Sequence, residues 1–186
     1  MKKLFKFIIW LVLIAFLVWC GLNAYHKLQR YIYPTDYYDL VEKYSKEYNL
    51  DKSLVFAVIK CESGFDKNAQ SDANAKGLMQ IQKDTYEWAC SRYSDKDVNE
   101  DYLFIPEKNI EAGCRLLRLH LDEFEDIRTV LCAYHAGRNI TINWLKNPEY
   151  STNGKTLQKI PYSDTSSYVD KVIKTIDKYK EIYEMQ

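Results

Sequence analysis

Residues 57–65 read AVIKCESGF, and the stretch before them, KSLVF at 52–56, is just as apolar. With Asp51 able to cap it, residues 52–63 are predicted to form a helix that is apolar almost all round and therefore buried. That helix ends on a carboxylate, Glu62, where partial negative charge at a helix C-terminus would favour a cation. Three, four and seven residues before it lie Ile59, Val58 and Val55, all apolar and on the same helical face. A carboxyl held over such a face loses hydration, which raises its pKa. A glutamic acid kept protonated in this way can serve as a general acid. Gly64 then lets the backbone leave the helix with the carboxyl facing a cleft. The plain alternative is an exposed glutamate on the last turn, offset by Lys60, and Glu62 taken alone favours it.

Outward from this helix the pattern stays helical. Asp36 can cap a helix over 37–48, with Leu40, Val41, Tyr44 and Tyr48 as its stripe. Residues 64–76 are polar and broken, a loop by composition. GLMQIQKDTYEWAC, from Gly77, reads as a turn entering a helix. Pro106 can open another, along which Ile110, Cys114, Leu117 and Leu121 recur. DIRTVLCAYHAG forms a buried helix that Gly137 can stop. Residues 147–161 are loop-like, and a last amphipathic helix from about Thr165 carries Tyr168, Val172, Ile176 and Tyr179. There is no repeat, low-complexity tract or alternating strand pattern. The domain is predicted to be mainly α.

The N-terminus has a different character. From Phe7 to Leu22 no residue is charged. With Leu4 and Phe5, and with Lys6 able to snorkel, about 18–20 apolar residues suffice to cross a bilayer. Lys2 and Lys3 favour a cytoplasmic N-terminus and place the rest of the chain outside. A cleaved signal peptide needs a small-x-small site, and WCGLNAYH offers none. A lipidated Cys20 would want a small residue where Trp19 stands. The expected organisation is an anchor and juxtamembrane connector over 1–30 and one globular domain over 31–186.

Of 26 basic and 26 acidic residues, five basic and no acidic ones fall within 1–30. The remainder therefore holds 21 basic against 26 acidic residues, a net charge of −5. That balance excludes a nucleic-acid partner, which needs a clustered basic surface. Sixteen tyrosines suit a carbohydrate or cell-surface setting. Cys61, Cys90, Cys114 and Cys132 could make two disulfides or pack as small buried hydrophobes. With His26, His120 and His135 scattered and no ligand spacing among the cysteines, no metal site is predicted. Cys61 has no histidine near it in sequence to activate it, so packing is its expected role.

The segment ESGFDKNAQSDANAKGLMQIQKDT, residues 62–85, followed by AYHAG at 133–137, resembles the catalytic domain of the lytic transglycosylases. The family is of the soluble-lytic-transglycosylase type, glycoside hydrolase family 23, with a goose-type lysozyme-like fold. Its pattern runs E-S-x-F, S-x-x-x-A-x-G-L-M-Q, A-Y-N-A-G and E-T-x-x-Y-V. This chain supplies Glu62-Ser63, Ser71, Ala75, Gly77-Leu78-Met79-Gln80 and Ala133-Tyr134 in that order. The resemblance spans about residues 37–180. It implies that Glu62 is the catalytic acid/base and that Ser71, Gln80, Tyr134 and Tyr168 contact the glycan. Tyr168 lies in DTSSYVDKV, similar to the last family segment. His135 stands where the family usually has Asn, and Asp164 where it has Glu; by the resemblance both are expected to bind substrate, at the same wall of the cleft. Gln82-Lys83 replaces a common Met-Pro. Gly77 and Met79 have plainer readings, a backbone requirement and core packing.

Most glycosidases use two carboxylates. The resemblance implies one, with the substrate's acetamido group assisting and the C6 hydroxyl attacking in place of water. The product is a 1,6-anhydromuramoyl end on peptidoglycan, formed without a cofactor. Asp66 and Asp72 could instead supply a second carboxylate for hydrolysis, although Asp66 can simply bond loop amides. A muramidase of the same fold and a non-catalytic peptidoglycan-binding or scaffold protein are the alternatives. The expected partners are glycan strands and, through the N-terminal helix, the membrane; the sequence identifies no protein partner.

Overall fold

The computed structural model describes residues 2–94 and 98–185. The chain divides into two compact units, Met1–Pro34 and Thr35–Gln186. The first is a single helix, α1, Lys2–Ile32. Its Phe5–Ile32 stretch is long and apolar enough to cross a membrane. The residues expected to be a connector continue this helix, and Asn23 donates to the Trp19 carbonyl one turn back, at 2.8 Å. Pro34 disfavours helical geometry at the residue before it, which accounts for the end.

The second unit contains α2 (Tyr38–Glu47), α3 (Lys52–Glu62), α4 (Lys83–Arg92), a 3-10 turn (Glu100–Phe104), α5 (Pro106–Glu123), α6 (Ile127–Ala136), α7 (Arg138–Leu145) and α8 (Ser163–Tyr183). Among the described residues there is no β-strand; two isolated bridges, Gln70 with Lys76 and Lys76 with Ile81, close the loop between α3 and α4. The helix at the centre is α3, which packs chiefly on α8. Val55, Phe56, Val58 and Ile59 are fully buried, and each contributes about 1.5–3 kcal/mol by leaving water. Phe56 stacks on Tyr179 of α8 at 5.4 Å and meets Phe65 at 6.3 Å. The absence of a polar face on α3, which marks it in the sequence, is thus explained by neighbours on every side.

Several boundaries differ from the sequence reading. Helix α2 starts at Tyr38, with Tyr37 at its N-cap in the left-handed region and no side-chain cap; Asp36 lies one residue too far out to serve. Asp51 occupies the N-cap of α3 without bonding its amides. Helix α7 and the 3-10 turn have no marked periodicity in sequence and were not expected. All five cysteines are free thiols, and Cys90, Cys114 and Cys132 are fully buried. Of the two readings of the domain's cysteines, packing without disulfides is the one observed, with Cys90, Cys114 and Cys132 in the core and Cys61 half-buried.

Candidate active site

Glu62 is the last residue of α3. Ser63 follows it and anchors the departing chain: its hydroxyl donates to the Leu78 carbonyl at 2.8 Å and accepts from the Phe65 amide at 3.1 Å. Gly64 and Phe65 both take positive φ, so the backbone turns sharply away from the acid. The buried ring of Phe65 locks that turn onto Phe56.

The loop returns past Glu62 through residues 76–80, held by one side chain. Asn109 of α5 is completely buried. Its Oδ1 accepts from the Met79 amide at 2.8 Å, and its Nδ2 donates to the carbonyls of Lys76 at 2.9 Å and Leu103 at 2.8 Å. Gly77 sits against this clamp with φ +73°, and a Cβ there would lie 2.1 Å from the Leu103 carbonyl oxygen. The backbone requirement expected of Gly77 is therefore met in two ways at one position, by positive φ and by close approach. Met79 is fully buried, and its sulfur occupies the space left open by Gly113. The sequence reading missed Asn109. Its signal is a polar residue four positions before Gly113 on the buried side of α5.

These elements border a cleft of about 370 Å³, lined by Glu62, Ser71, Gln80, Thr85, Tyr134 and His135 among others. A second hollow of about 460 Å³ continues it, sharing Thr85, Leu116, Tyr134, Ala136 and Gly137 and extending to Trp88 and Asn139. Glu62 is the one carboxylate among the residues lining the first cleft. Burial pushes its pKa up to about 7. The hydroxyl of Tyr168, which donates to Glu62 Oε1 at 2.6 Å, opposes that rise, and Lys171 opposes it more weakly.

The expected site residues are placed as follows. Ser71 is exposed on the cleft wall, its hydroxyl accepting from the Ala75 amide at 3.1 Å. Gln80, at φ 47°, lines the cleft but spends its Nε2 on the carbonyls of Ala69 and Gly77. Tyr134 lines the cleft and donates to the Met79 carbonyl at 2.7 Å, which ties α6 to the returning loop. Tyr168 reaches Glu62 from behind, out of α8, and does not line the cleft. His135 lines the cleft and stacks on Tyr168. Asp164, exposed in the first turn of α8, is outside the cleft lining. Asp66 accepts from the Asn68 amide at 2.9 Å, the plainer of its two expected roles, and neither Asp66 nor Asp72 lines the cleft. Cys61 packs beside Thr175, and burial pushes its thiol pKa up, away from nucleophile chemistry.

A helical domain with a shielded carboxyl at the end of its central helix, facing a groove, is a lysozyme-like architecture. The chain belongs to the transglycosylase SLT domain family, whose model matches residues 39–156. It is 36% identical over 117 residues to a transglycosylase of Enterobacteria phage PRD1, covering 62% of this chain and 40% of that protein. It is 29% identical over 176 residues to the membrane-bound lytic murein transglycosylase C of Glaesserella parasuis, covering 78% of this chain and 46% of the relative. Among solved structures, the 70 kDa soluble lytic transglycosylase of Escherichia coli superposes with a TM-score of 0.74 at 27% identity, over 82% of this chain and 25% of that one. The chain thus spans less than half the length of these relatives. The family match stops short of Asp164 and Tyr168, so the pairing of Tyr168 with Glu62 is known from the structure alone.

Proposed function

We propose that this protein is a membrane-anchored peptidoglycan lytic transglycosylase in which Glu62 is both acid and base. The observation that carries this reading is the Glu62 carboxyl at the end of a buried helix, on the wall of a cleft and with the Tyr168 hydroxyl on its Oε1; burial pushes its pKa up to about 7. Such a group holds its proton often enough to give it away and loses it easily enough to take one back. Membership of the SLT domain family and the lytic murein transglycosylases among its relatives support the substrate class.

In this mechanism the Glu62 proton passes to the glycosidic oxygen between N-acetylmuramic acid and N-acetylglucosamine, and the bond from that oxygen to the anomeric carbon breaks. The acetamido carbonyl of the same muramic acid covers the anomeric carbon. Glu62, now a carboxylate, takes the proton of the C6 hydroxyl as that oxygen closes on the anomeric carbon and displaces the acetamido group. The products are a 1,6-anhydromuramoyl end and a free glucosamine 4-hydroxyl, with Glu62 protonated again. Ser71, Gln80 and Tyr134 orient the sugar, where holding one geometry lowers the barrier most. Asp66 is engaged in its own loop, which favours the single-carboxylate route over hydrolysis. In this reading α1, long and apolar enough to cross a membrane, spans it once, and the lysines ahead of it put the catalytic domain on the extracytoplasmic side.

The test is mass analysis of muropeptides released from purified peptidoglycan by the full chain in detergent micelles, with Glu62→Gln alongside. Anhydro ends from the wild type alone are expected. Reducing ends would make the protein a muramidase, and no release from either would leave a binding or scaffolding role.

A further inference from the structure

His135 stands at the cleft, but its contacts run inward. Its imidazole lies over the ring of Tyr168, with centroids 4.3 Å apart and planes inclined by 25°. Its Nδ1 is 3.2 Å from the Thr165 hydroxyl. Both partners belong to α8, whereas His135 is on α6, so the contact joins two helices. The Tyr168 hydroxyl in turn donates to Glu62 Oε1 on α3. Three side chains from three helices therefore form one line ending on the acid.

We infer that His135 is a positioning residue for Glu62 and acts through Tyr168. A phenol ring can pivot about its side-chain torsions, and a flat aromatic neighbour at this separation opposes that motion. Held in place, the Tyr168 hydroxyl stays on Oε1 and leaves Oε2 as the oxygen that carries the proton. The inference rests on the reading of Glu62 as the acid, and it gives His135 a task that its place in the family pattern, usually Asn, does not supply.

The electrostatics agree in sign. Burial lowers the His135 pKa, against the pull of Asp164, so the stacked ring is neutral at neutral pH. The groups bearing on Glu62 are Tyr168 and Lys171 from α8 and, as uncharged neighbours, Tyr134 of α6 and Cys61 of its own helix. Of these, Tyr168 favours the carboxylate most. Loosening Tyr168 must therefore move the Glu62 titration upward.

The experiment is a carbon-13 NMR titration of the Glu62 carboxyl in the full chain in detergent micelles, assigned with Glu62→Gln. His135→Ala, His135→Phe and Tyr168→Phe are compared, together with pH profiles of kcat and KM on peptidoglycan. The expected result for His135→Ala is a titration midpoint raised by about half a pH unit, part of the way toward the Tyr168→Phe value, with kcat down severalfold and KM little changed. His135→Phe, which keeps a flat ring over Tyr168, restores the wild-type midpoint. An unmoved midpoint in His135→Ala, or a shift in His135→Phe equal to that of alanine, overturns the inference. A loss confined to KM also overturns it, since that marks direct contact with the sugar. Should wild-type protein release nothing from peptidoglycan, the functional reading fails, while the titration still decides whether His135 positions Glu62.

Discussion

The hydroxyl of Tyr168 donates to Oε1 of Glu62 at 2.6 Å, across the packing of α8 on α3. Burial and this bond act on the carboxyl in opposite directions, and burial wins, leaving the pKa near 7. A purely buried carboxyl would be a poor base, and a well-solvated one a poor acid. The pair sets a value between the two.

Removing the phenol oxygen should expose the balance. In Tyr168→Phe the Glu62 pKa rises by roughly one unit, since a hydrogen bond to a charged group is worth about 1.5–3 kcal/mol and solvent takes up part of the loss. The alkaline limb of the kcat/KM profile should move up with it. A limb that stays in place would mean that the bond contributes nothing to the ionisation.

Glu62 also carries a stability cost that depends on pH. Its folded pKa lies above the unfolded value of 4.5, so the folded state binds the extra proton and stability falls as pH rises between 4.5 and about 7. Glu62→Gln should therefore raise Tm at pH 8, by an amount equivalent to at most about 3 kcal/mol, and lose that advantage at pH 4. Thermal denaturation of both proteins at the two pH values measures the crossover, and parallel Tm curves would contradict it.

The loop beside the acid depends on Asn109. Asn109→Ala removes three hydrogen bonds and leaves the Met79 amide unpaired in the core. A loss of about 3 kcal/mol is expected, because an unsatisfied buried group costs about 1–3 kcal/mol and a cavity adds to it. Hydrogen exchange should quicken at Met79. Protection equal to wild type there would show that another group holds the loop.

At Gly77 the constraint is steric. Gly77→Ala drives a Cβ onto the Leu103 carbonyl oxygen and the Asn109 amide at positive φ. The loop must shift away from Glu62, so Tm and peptidoglycan cleavage should fall together. A variant with full stability would refute the close approach.

Cys61, adjacent to the acid, is expected to be dispensable. Cys61→Ala should keep the wild-type pH profile and lose about 1 kcal/mol or less in stability, as a small half-buried packing residue does. A large loss of kcat would return the thiol to the chemistry.

Much of this was legible from residues alone, where a local pattern reports directly on burial. The apolar run 54–59 announced a core helix, Glu62 near its end announced a misplaced charge, and Gly77 announced a backbone requirement. Helix α7 was not legible, because eight residues with mixed polarity carry too little periodicity. The ordered motifs from Glu62 to Tyr134 identified the family, since spacing along the chain is a property of sequence.

Tertiary structure decided what spacing cannot encode. Tyr168 is 106 positions from Glu62 and Asn109 is 30 from Met79, separations over which no local rule places one side chain against another. Only the packing of α8 on α3 determines that the phenol meets the carboxyl. The same burial that made the helix readable then raises the acid's pKa, and the tyrosine that restrains it arrives through the fold.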